Sequence, residues 1–520
     1  MRPALAALAI LALAAVGACS DAAVSAAGDA SPRAPEASGG ASSSGGAGAP
    51  APEQEVESDY EAPVATGKFV WIANPKSGRV AYVNAASLEV RTVDAGNGPT
   101  YLAAVPGQAD DTAIVINVLS EDATLLKAAP SGTTARSFKV ARGANAWAFS
   151  ADGRYAIAWA DARKVKNAPR TEGFQDLTVM DLTSGAVTVL AVGYRPVAVG
   201  FAAGAPRAYA VTQDGVAIVD LSTSPPRVTK NVPISDNPLE DPGTRDVSVT
   251  PNGQLALVRR DGSAEITVLS LDTGARAKVT LSGAVTDLDL TDTGTRAVAV
   301  VRDKAQVAIL PVPEIFQNPG TFTTVDVTGE TIGSVALAPG GASGLLYTNA
   351  SAVERLTVLR LGPPPEVRTV KLYSPVLAAF VAPDAKHSVV LHDKTAGPSG
   401  SPGAFSLVPI GTEPLPAKIV ATQAPPSAVA MTSDRAVVAE RADATKVYGA
   451  YLGRMPELMV ERYVLASPPI AVGVVQGAKR AFIAQEHAEG RITFIDLDTG
   501  LARTLTGFEL AARVVDGSKP

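Results

Sequence analysis

The chain has 520 residues, of which 46% are hydrophobic and 18% charged, and its formal net charge is −6. Basic and acidic residues are interspersed, so the sequence has no basic stripe of the kind that attracts nucleic acid, and we expect no nucleic-acid partner. The sequence contains 1 cysteine, which excludes an intramolecular disulfide. The fold must therefore be stabilised by packing and hydrogen bonds.

The first 18 residues have the pattern of a lipoprotein signal peptide. Arg2 precedes an apolar stretch from Ala4 to Val16, which is too short to span a bilayer as a permanent helix. Small residues stand directly before Cys19. This arrangement resembles the lipobox of bacterial lipoproteins, in which the cysteine thiol receives diacylglycerol and becomes the new N-terminus. The resemblance implies lipidation of Cys19; an ordinary signal peptide that is cleaved nearby is the alternative.

Residues 19–66 are predicted to be a lipidated cysteine followed by a disordered tether. Ala, Ser, Gly and Pro dominate this stretch, and such a composition cannot bury enough apolar surface to offset the entropy of the chain. A flexible segment of this length spans roughly 40 Å root-mean-square. Ser20 follows the cysteine, and in the sorting pattern of enterobacterial lipoproteins this residue favours the outer membrane. The expected location is the bacterial cell envelope, with the lipid anchor as the contact with the membrane.

Residues 67–520 consist of repeats of one short phrase. One copy is Ala144–Gly153 and another is Thr244–Gly253, and each is followed by an apolar run. The repeat that opens at Thr244 divides into four short strands separated by Pro-Asn-Gly, Arg-Asp-Gly and Asp-Thr-Gly. Asp and Asn bond to the backbone within a turn, and Gly accepts the positive φ that hairpins need. A four-strand unit repeated at a constant period predicts an all-β fold, a β-propeller of four-stranded blades.

Several segments carry a family resemblance. Phe69–Asn74, Arg79–Asn84, Asn97–Gly107, Arg207–Thr212 and Leu345–Asn349 are similar to the Tyr-Val-Thr-Asn propeller repeats of bacterial surface proteins. The resemblance extends over nearly all of the repeat region. It implies a propeller fold, and it leaves the function open because this superfamily includes both lactonase-like enzymes and binding proteins.

The number of repeats is unusual. We count ten units, whereas propellers typically have four to eight blades. A large ring, inserted units and two separate rings are the alternatives, of which we favour one ring. The first unit lacks its opening strand, and the chain ends with the apolar segment Leu510–Val515. We therefore expect N- and C-terminal strands to share one blade, since this removes exposed sheet edges.

Propeller geometry sorts the connections onto two faces. The turns after the first and third strands of each blade lie on one face, the turn face. The loops after the second strand and the links between blades lie on the other, the loop face. Functional residues concentrate on irregular loops held by a rigid scaffold, so we expect binding at the loop face. The candidate binding residues there are Asp161, Arg163, Lys164, His392, Asp393, Glu440, Arg441, Glu486 and His487.

Asn, Asp or Glu recurs where the second strand of each unit ends. Such side chains form either a polar collar around the channel or ordinary turns, and both interpretations stay open. The residues are Asn74, Asn117, Asp161, Asp214, Asp261, Asp303, Asn349, Asp393 and Glu486.

The sequence favours a non-enzymatic scaffold that binds a protein or peptide partner. A lactonase-like hydrolase is the second hypothesis, since His392, Asp393, Glu486 and His487 lie in corresponding loops and a His–carboxylate set can act as a general base or bind a metal. A quinoprotein-like dehydrogenase propeller ranks last, because the sequence shows no convincing tryptophan-docking repeats or cofactor ligands. Recognised catalytic motifs and phosphate-binding loops are absent. We assign no catalytic residue, no metal ligand and no cofactor.

Overall fold

The computed structural model describes residues 64–507, apart from 130–131, 166–172, 238–239, 241, 373, 393–399, 412–415 and 488–489. Its strands form ten antiparallel sheets, each of which is one blade of a β-propeller. Nine blades have four described strands and the first has three. The fold class and the count of ten predicted from the repeats are confirmed.

Strands are numbered in chain order, with β1–β3 in blade 1 and four strands in each later blade. The first strands, which lie at the inside of the ring, are β4 (Pro99–Ala104), β8 (Ala146–Phe149), β12 (Ala198–Phe201), β16 (Arg245–Val249), β20 (Asp287–Leu290), β24 (Ser334–Leu337), β28 (Val376–Val381), β32 (Pro426–Met431) and β36 (Pro469–Val475). The second strands are β1 (Phe69–Asn74), β5 (Asp111–Asn117), β9 (Tyr155–Trp159), β13 (Arg207–Val211), β17 (Leu255–Arg260), β21 (Arg296–Val301), β25 (Ser343–Tyr347), β29 (His387–His392), β33 (Arg435–Ala442) and β37 (Arg480–Gln485).

The third strands are β2 (Arg79–Asn84), β6 (Asp122–Ala129), β10 (Asp176–Asp181), β14 (Gly215–Asp220), β18 (Glu265–Ser270), β22 (Gln306–Pro311), β26 (Arg355–Arg360), β30 (Gly403–Pro409), β34 (Val447–Arg454) and β38 (Arg491–Asp496). The outer strands are β3 (Val90–Asp94), β7 (Gly132–Lys139), β11 (Val187–Ala191), β15 (Arg227–Pro233), β19 (Arg276–Thr280), β23 (Thr323–Asp326), β27 (Glu366–Lys371), β31 (Lys418–Thr422), β35 (Met459–Val464) and β39 (Ala502–Thr506). One short helix, α1 (Glu314–Gln317), follows β22.

Burial along the strands follows from their place in a blade. The second strand β29 is buried at all of its positions, because both faces of a middle strand pack against neighbouring blades. The outer strand β11 instead alternates between exposed and half-buried residues. Apolar runs in the sequence therefore mark middle strands, and alternating segments mark outer strands.

The hydrophobic core is divided among the junctions between blades. The structure contains ten clusters of buried apolar residues, and each cluster lies between two successive blades. The cluster that joins blade 10 to blade 1 contains Val70 and Val83 from blade 1 and Phe482 and Phe494 from blade 10. Because the tenth junction connects the last blade to the first, the sheets close into one ring.

A repeated hydrogen bond strengthens these junctions at the turn face. The first residue of a second strand donates to the carbonyl oxygen that follows the third strand of the next blade. Arg435 bonds to Leu497 O at 3.1 Å, and Arg480 bonds to Ala85 O at 2.6 Å. Arg296 makes the same contact with Leu361 O. The junction between blades 10 and 1 thus has the same contacts as the internal junctions.

The inner edge of blade 1 is covered differently from those of the other blades. Ala65 forms an isolated bridge with Val70, and the amide of Trp71 donates to Val64 O at 3.4 Å. The amide of Thr66 also donates to Phe69 O at 2.9 Å, so residues 64–66 cover part of the inner edge of β1. The predicted C-terminal strand, Leu510–Val515, lies outside the described residues.

The turn after β10 contains the side-chain hydrogen bonds and the positive-φ glycine that the sequence predicts. The carboxylate of Asp181 accepts from the amides of Thr183 at 2.9 Å and Ser184 at 3.0 Å, and Gly185 follows with φ of 83°. Hydrogen bonds to the ionised carboxylate hold the pKa of Asp181 below its usual range despite partial burial. Within the ranges that the structure describes, no helix combines the length and hydrophobicity needed to cross a membrane.

Candidate functional site

Asp161 and Arg163 lie where the loop after β9 begins. Asp161 is buried and caps the 3-10 turn Ala162–Lys164 by accepting from the amide of Arg163 at 3.0 Å. Burial raises the pKa of Asp161 to about 6, although the bond from Arg163 and the charge of Lys164 oppose this shift. Arg163 also pairs with the Asp161 carboxylate at 2.9 Å and bonds to Val197 O in blade 4. This pair joins blade 3 to blade 4.

His392 is the last residue of β29 and is fully buried. Its Nδ1 lies 3.1 Å from Pro375 O, and its Nε2 lies 2.7 Å from the hydroxyl of Ser406. Since a carbonyl oxygen only accepts, Nδ1 carries the proton and Nε2 accepts from Ser406. Burial lowers the pKa of His392 to about 4, so the ring is neutral at pH 7. Both ring nitrogens of His392 are therefore hydrogen-bonded within blade 8 and its inter-blade link.

Glu440 is a buried carboxylate at the junction of blades 8 and 9. It accepts from the amides of Gln423 at 2.8 Å and Ala424 at 3.0 Å, in the link that leads into β32. The hydroxyl of Tyr451 donates to it at 3.0 Å, and Arg462 forms an ion pair with it at 2.6 Å. Burial, together with the charge of Glu440, raises the pKa of Tyr451 to about 12. The carboxylate therefore connects a link to three strands of its own blade.

His392 and Glu440 belong to a set of polar residues that occupy the same position of the repeat in four blades. Each member is a buried polar residue paired in register with the first residue of the inner strand, and it bonds to a hydroxyl on the third strand. The members and hydroxyl partners are Asn117 with Thr124 (2.9 Å), His392 with Ser406 (2.7 Å), Glu440 with Tyr451 (3.0 Å) and Gln485 with Thr493 (2.7 Å). Alignment of the repeats is the signal that identifies this set, because the four residues occupy one position of the repeat.

Arg441, Glu486 and His487 are closer to solvent. Arg441 pairs with Asp443 at 2.9 Å and with Glu486 of blade 10 at 3.2 Å. The carbonyl oxygen of His487 accepts from the amide of Gly490 at 3.0 Å. Asp393 lies outside the described residues. Arg441 and Glu486 thus form a surface contact between blades 9 and 10, and their role in binding stays a prediction.

The structure does not bring the two loop histidines into one pocket. His392 is enclosed in blade 8, whereas His487 follows β37 in blade 10, and neither lines the large cavity described below. Nor do those strand-end residues of the proposed collar that the structure describes line that cavity. Asn74 and Asp161 accept from amides two or three residues later, at 3.0–3.3 Å, so at these positions turn formation accounts for the residue type.

A large cavity lies at the turn face, on the opposite side of the ring from the loop face where binding was predicted. A cavity of about 2110 Å³ is lined by the ends of several first strands and by the turns that follow them. Its wall includes half-buried aromatic residues, of which Trp147 and Phe149 stack at 5.7 Å with an interplanar angle of 20°. The indole nitrogen of Trp147 donates to Tyr101 O at 2.9 Å, which fixes the ring against blade 2.

Further apolar side chains continue this wall around the ring. Phe201 in blade 4, Phe380 in blade 8 and Met431 in blade 9 line the cavity and are half-buried. Sequence reasoning missed this cavity because it placed function on irregular loops, whereas these residues occupy regular first strands. Large apolar residues at the ends of first strands were the available signal.

Charged groups do not gather into a metal centre in the part of the chain that the structure describes. No group of three or more His, Cys, Asp or Glu side chains there is positioned to hold a metal ion.

No protein-family model matches the sequence, and the comparison with curated proteins gives no match. Among solved structures, a eukaryotic initiation factor is similar over 85% of this chain and 97% of that chain, with 12% identity and a TM-score of 0.48. The dihydro-haem d1 dehydrogenase NirN in complex with DHE is similar over 87% and 78%, with 11% identity and a TM-score of 0.41. Hydrazine synthase from Kuenenia stuttgartiensis is similar over 59% and 97%, with 18% identity and a TM-score of 0.33. These likenesses concern the fold alone.

Substitution of Glu440 by Gln should destabilise the ring strongly. The change leaves the guanidinium of Arg462 without its carboxylate partner, and breaking a buried ion pair in this way costs about 3–5 kcal/mol. Its neighbour Arg441 is the matched control, since its ion pairs with Asp443 and Glu486 lie near the surface, and loss of such a pair costs about 1 kcal/mol or less. The measurement is the urea midpoint of unfolding for both variants. Equal midpoints for the two would contradict a structural role for Glu440.

Proposed function

We propose that the protein is a lipid-anchored β-propeller of the bacterial envelope that binds a polypeptide segment of a partner protein in its turn-face cavity, without catalysing a reaction. The proposal also takes the repeats to be of the Tyr-Val-Thr-Asn type. The observation that carries it is the size of the cavity together with its aromatic wall.

The volume argues for a polypeptide over a small molecule. Pockets for small ligands have volumes of about 300–1,000 Å³ and enclose most of the ligand. The cavity here is about 2110 Å³ and is lined by residues of eight blades, so a small ligand would leave much of the wall in contact with water. A chain segment with several side chains matches this space better.

The arrangement of the wall supports the same conclusion. Blades five positions apart lie opposite each other in a ring of ten. Phe201 of blade 4 and Met431 of blade 9 therefore lie on opposite sides of the cavity. Aromatic side chains in well-packed, partly enclosed positions contribute most to the binding energy of protein interfaces. Large apolar side chains on opposite sides of the cavity can contact one bound polypeptide segment from both sides.

The anchor accounts for how the ring reaches its partner. Cys19 carries the lipid in this proposal, and the residues from 20 up to the contacts of Val64 and Ala65 with β1 form the tether to the propeller. A span of roughly 40 Å leaves the cavity free to turn towards partners in the envelope.

Replacing Cys19 by Ser should release the protein from the membrane fraction, because the acyl chains that hold it can no longer be attached. The measurement is cell fractionation followed by detection of the propeller, with a Ser20→Ala form as the control that retains the thiol. Persistence of the Cys19→Ser form in the membrane fraction would rule out lipidation as the tether.

Replacing Phe201 and Met431 by Ala should weaken partner binding by about 30-fold or more while the ring stays folded, since the loss of even one interface anchor costs about 2 kcal/mol. The soluble Cys19→Ser form is used to capture partners from envelope extracts, and circular dichroism verifies folding. Val189→Ala, at an exposed site on β11, is the matched control. If binding survives in the double variant and is lost in Arg441→Ala, the loop face is the binding surface and the cavity is not.

A further inference from the structure

The tether joins the propeller at the wall of the turn-face cavity. Residues 65–69, which lead into β1, all line this cavity. The hydroxyl oxygen of Thr66 accepts from the indole nitrogen of Trp71 at 2.9 Å, and the amide of Lys68 donates to the carboxylate of Asp111 at 2.8 Å. These bonds fix the entry of the chain at the cavity wall.

The residue before this entry lies towards the ring interior. The carbonyl oxygen of Val64 accepts from the amide of Trp71 at 3.4 Å, on the inner edge of β1. The tether therefore starts beside the cavity and not at the outer rim. A ligand held by a short flexible segment has an effective concentration in the millimolar range, so a site with a Kd of about 0.1 mM for it is about nine-tenths occupied.

Blades 3 and 4 give the cavity an aromatic wall that extends over two inner strands. Trp147 and Phe149 stack on β8, and Phe201 lies on β12. Tyr209 packs against the backbone of β12, since a Cβ atom at Gly200 would lie only 2.5 Å from its Cζ atom and its hydroxyl oxygen. The glycine thus gives the tyrosine ring room in the cavity wall.

A wall of this kind suits a proline-rich segment. Proline-rich segments bind in aromatic-lined grooves, and their polyproline II conformation is already formed, so binding costs little conformational entropy. The four aromatic side chains are uncharged. A segment that binds against them must also be uncharged, because burial of an unpaired charge is costly.

One part of the tether has this composition. The segment Ala49–Pro52 alternates alanine with proline and contains no charged residue. The acidic stretch Glu53–Glu61 follows it, and charged segments repel themselves and stay extended in water. The Ala-Pro sites at Pro35 and Pro63 differ from it, since the first stands between charged residues and the second adjoins Val64.

The length of the intervening chain allows Ala49–Pro52 to return to the cavity. Residues 53–63 separate this segment from Val64. A flexible chain of that length spans roughly 18 Å root-mean-square and about 36 Å when fully extended. Because the chain starts at the cavity wall, this reach is sufficient for docking within one molecule.

We propose that Ala49–Pro52 docks on the aromatic wall of the cavity in the same molecule and competes there with segments of partner proteins. The inference rests on the proposed function, since it takes the cavity to be the partner site. A site that is about nine-tenths occupied by the tether binds a partner with an apparent affinity about tenfold lower. The tether is thus both the anchor line and a restraint on binding.

Site-directed photo-cross-linking tests the docking. The Cys19→Ser form has no cysteine, so Ala51→Cys adds a single thiol for a benzophenone maleimide label. This label should cross-link to peptides that contain Trp147 or Phe201. Val56→Cys is the matched control, because it is closer to the propeller along the chain and proximity alone would favour its cross-links. Docking reverses this order and gives position 51 at least about a threefold higher yield.

Replacement of both prolines tests the chemistry of the contact. Pro50→Gly with Pro52→Gly removes the rings and the preformed conformation, so the yield from position 51 should fall to that from position 56. Equal yields from the two positions in the unsubstituted tether, an unchanged yield after proline replacement, or cross-links mainly between molecules overturn the proposal.

The same experiment separates this inference from the proposed function. Cross-linking within one molecule requires no partner, so its failure leaves the proposed function standing. Partner capture that survives Phe201→Ala with Met431→Ala contradicts the proposed function, whereas the cross-links from position 51 still show whether the tether docks.

Discussion

The packing of each blade against the next holds this protein together. A single four-stranded blade buries its middle strands only when a sheet lies on each side, and each buried Val, Leu, Ile or Phe contributes about 1.5–3 kcal/mol. Ten clusters of such residues occupy the ten junctions, including the one between blades 10 and 1. Without the last junction two blades would expose apolar faces to water, so closure of the ring is a condition for the stability of every other blade.

Dense packing at the junctions determines what polar groups can do there. Amides and carbonyl groups in the links between blades are buried, and each needs a partner. His392 and Glu440 supply such partners, as do Asp287 and Asp289 at the ring interior. The ionisable side chains of His392 and Glu440 thus bond within the scaffold, whereas the cavity at the turn face presents mainly apolar side chains.

The sequence predicts the blades well because each strand and turn has a local cause. The Asp-Leu-Thr-Ser-Gly phrase at Asp181 closes a hairpin through its own side chain, and the apolar run of β29 marks a buried strand. The site was harder to predict. The partners of His392 lie in a link and in another strand, so only the three-dimensional contacts distinguish a bound structural histidine from a free base. Likewise, the cavity is formed by residues from eight blades, so the large apolar residues at the ends of first strands indicate a cavity only when the blades are placed around the ring.

Closure between blades 10 and 1 is the central claim, and chemical cross-linking tests it directly. In the closed ring a side chain at Gly477 would contact Gly67 and Lys68, so Lys68 and Lys479 lie near each other at the turn face, and both are exposed. A lysine-specific cross-linker applied to the monomeric full-length protein, with mass spectrometry as the readout, should join Lys68 to Lys479 and leave Lys68 unlinked to Lys278 in blade 5. Absence of the first link under conditions that join other neighbouring lysines would contradict a single closed ring.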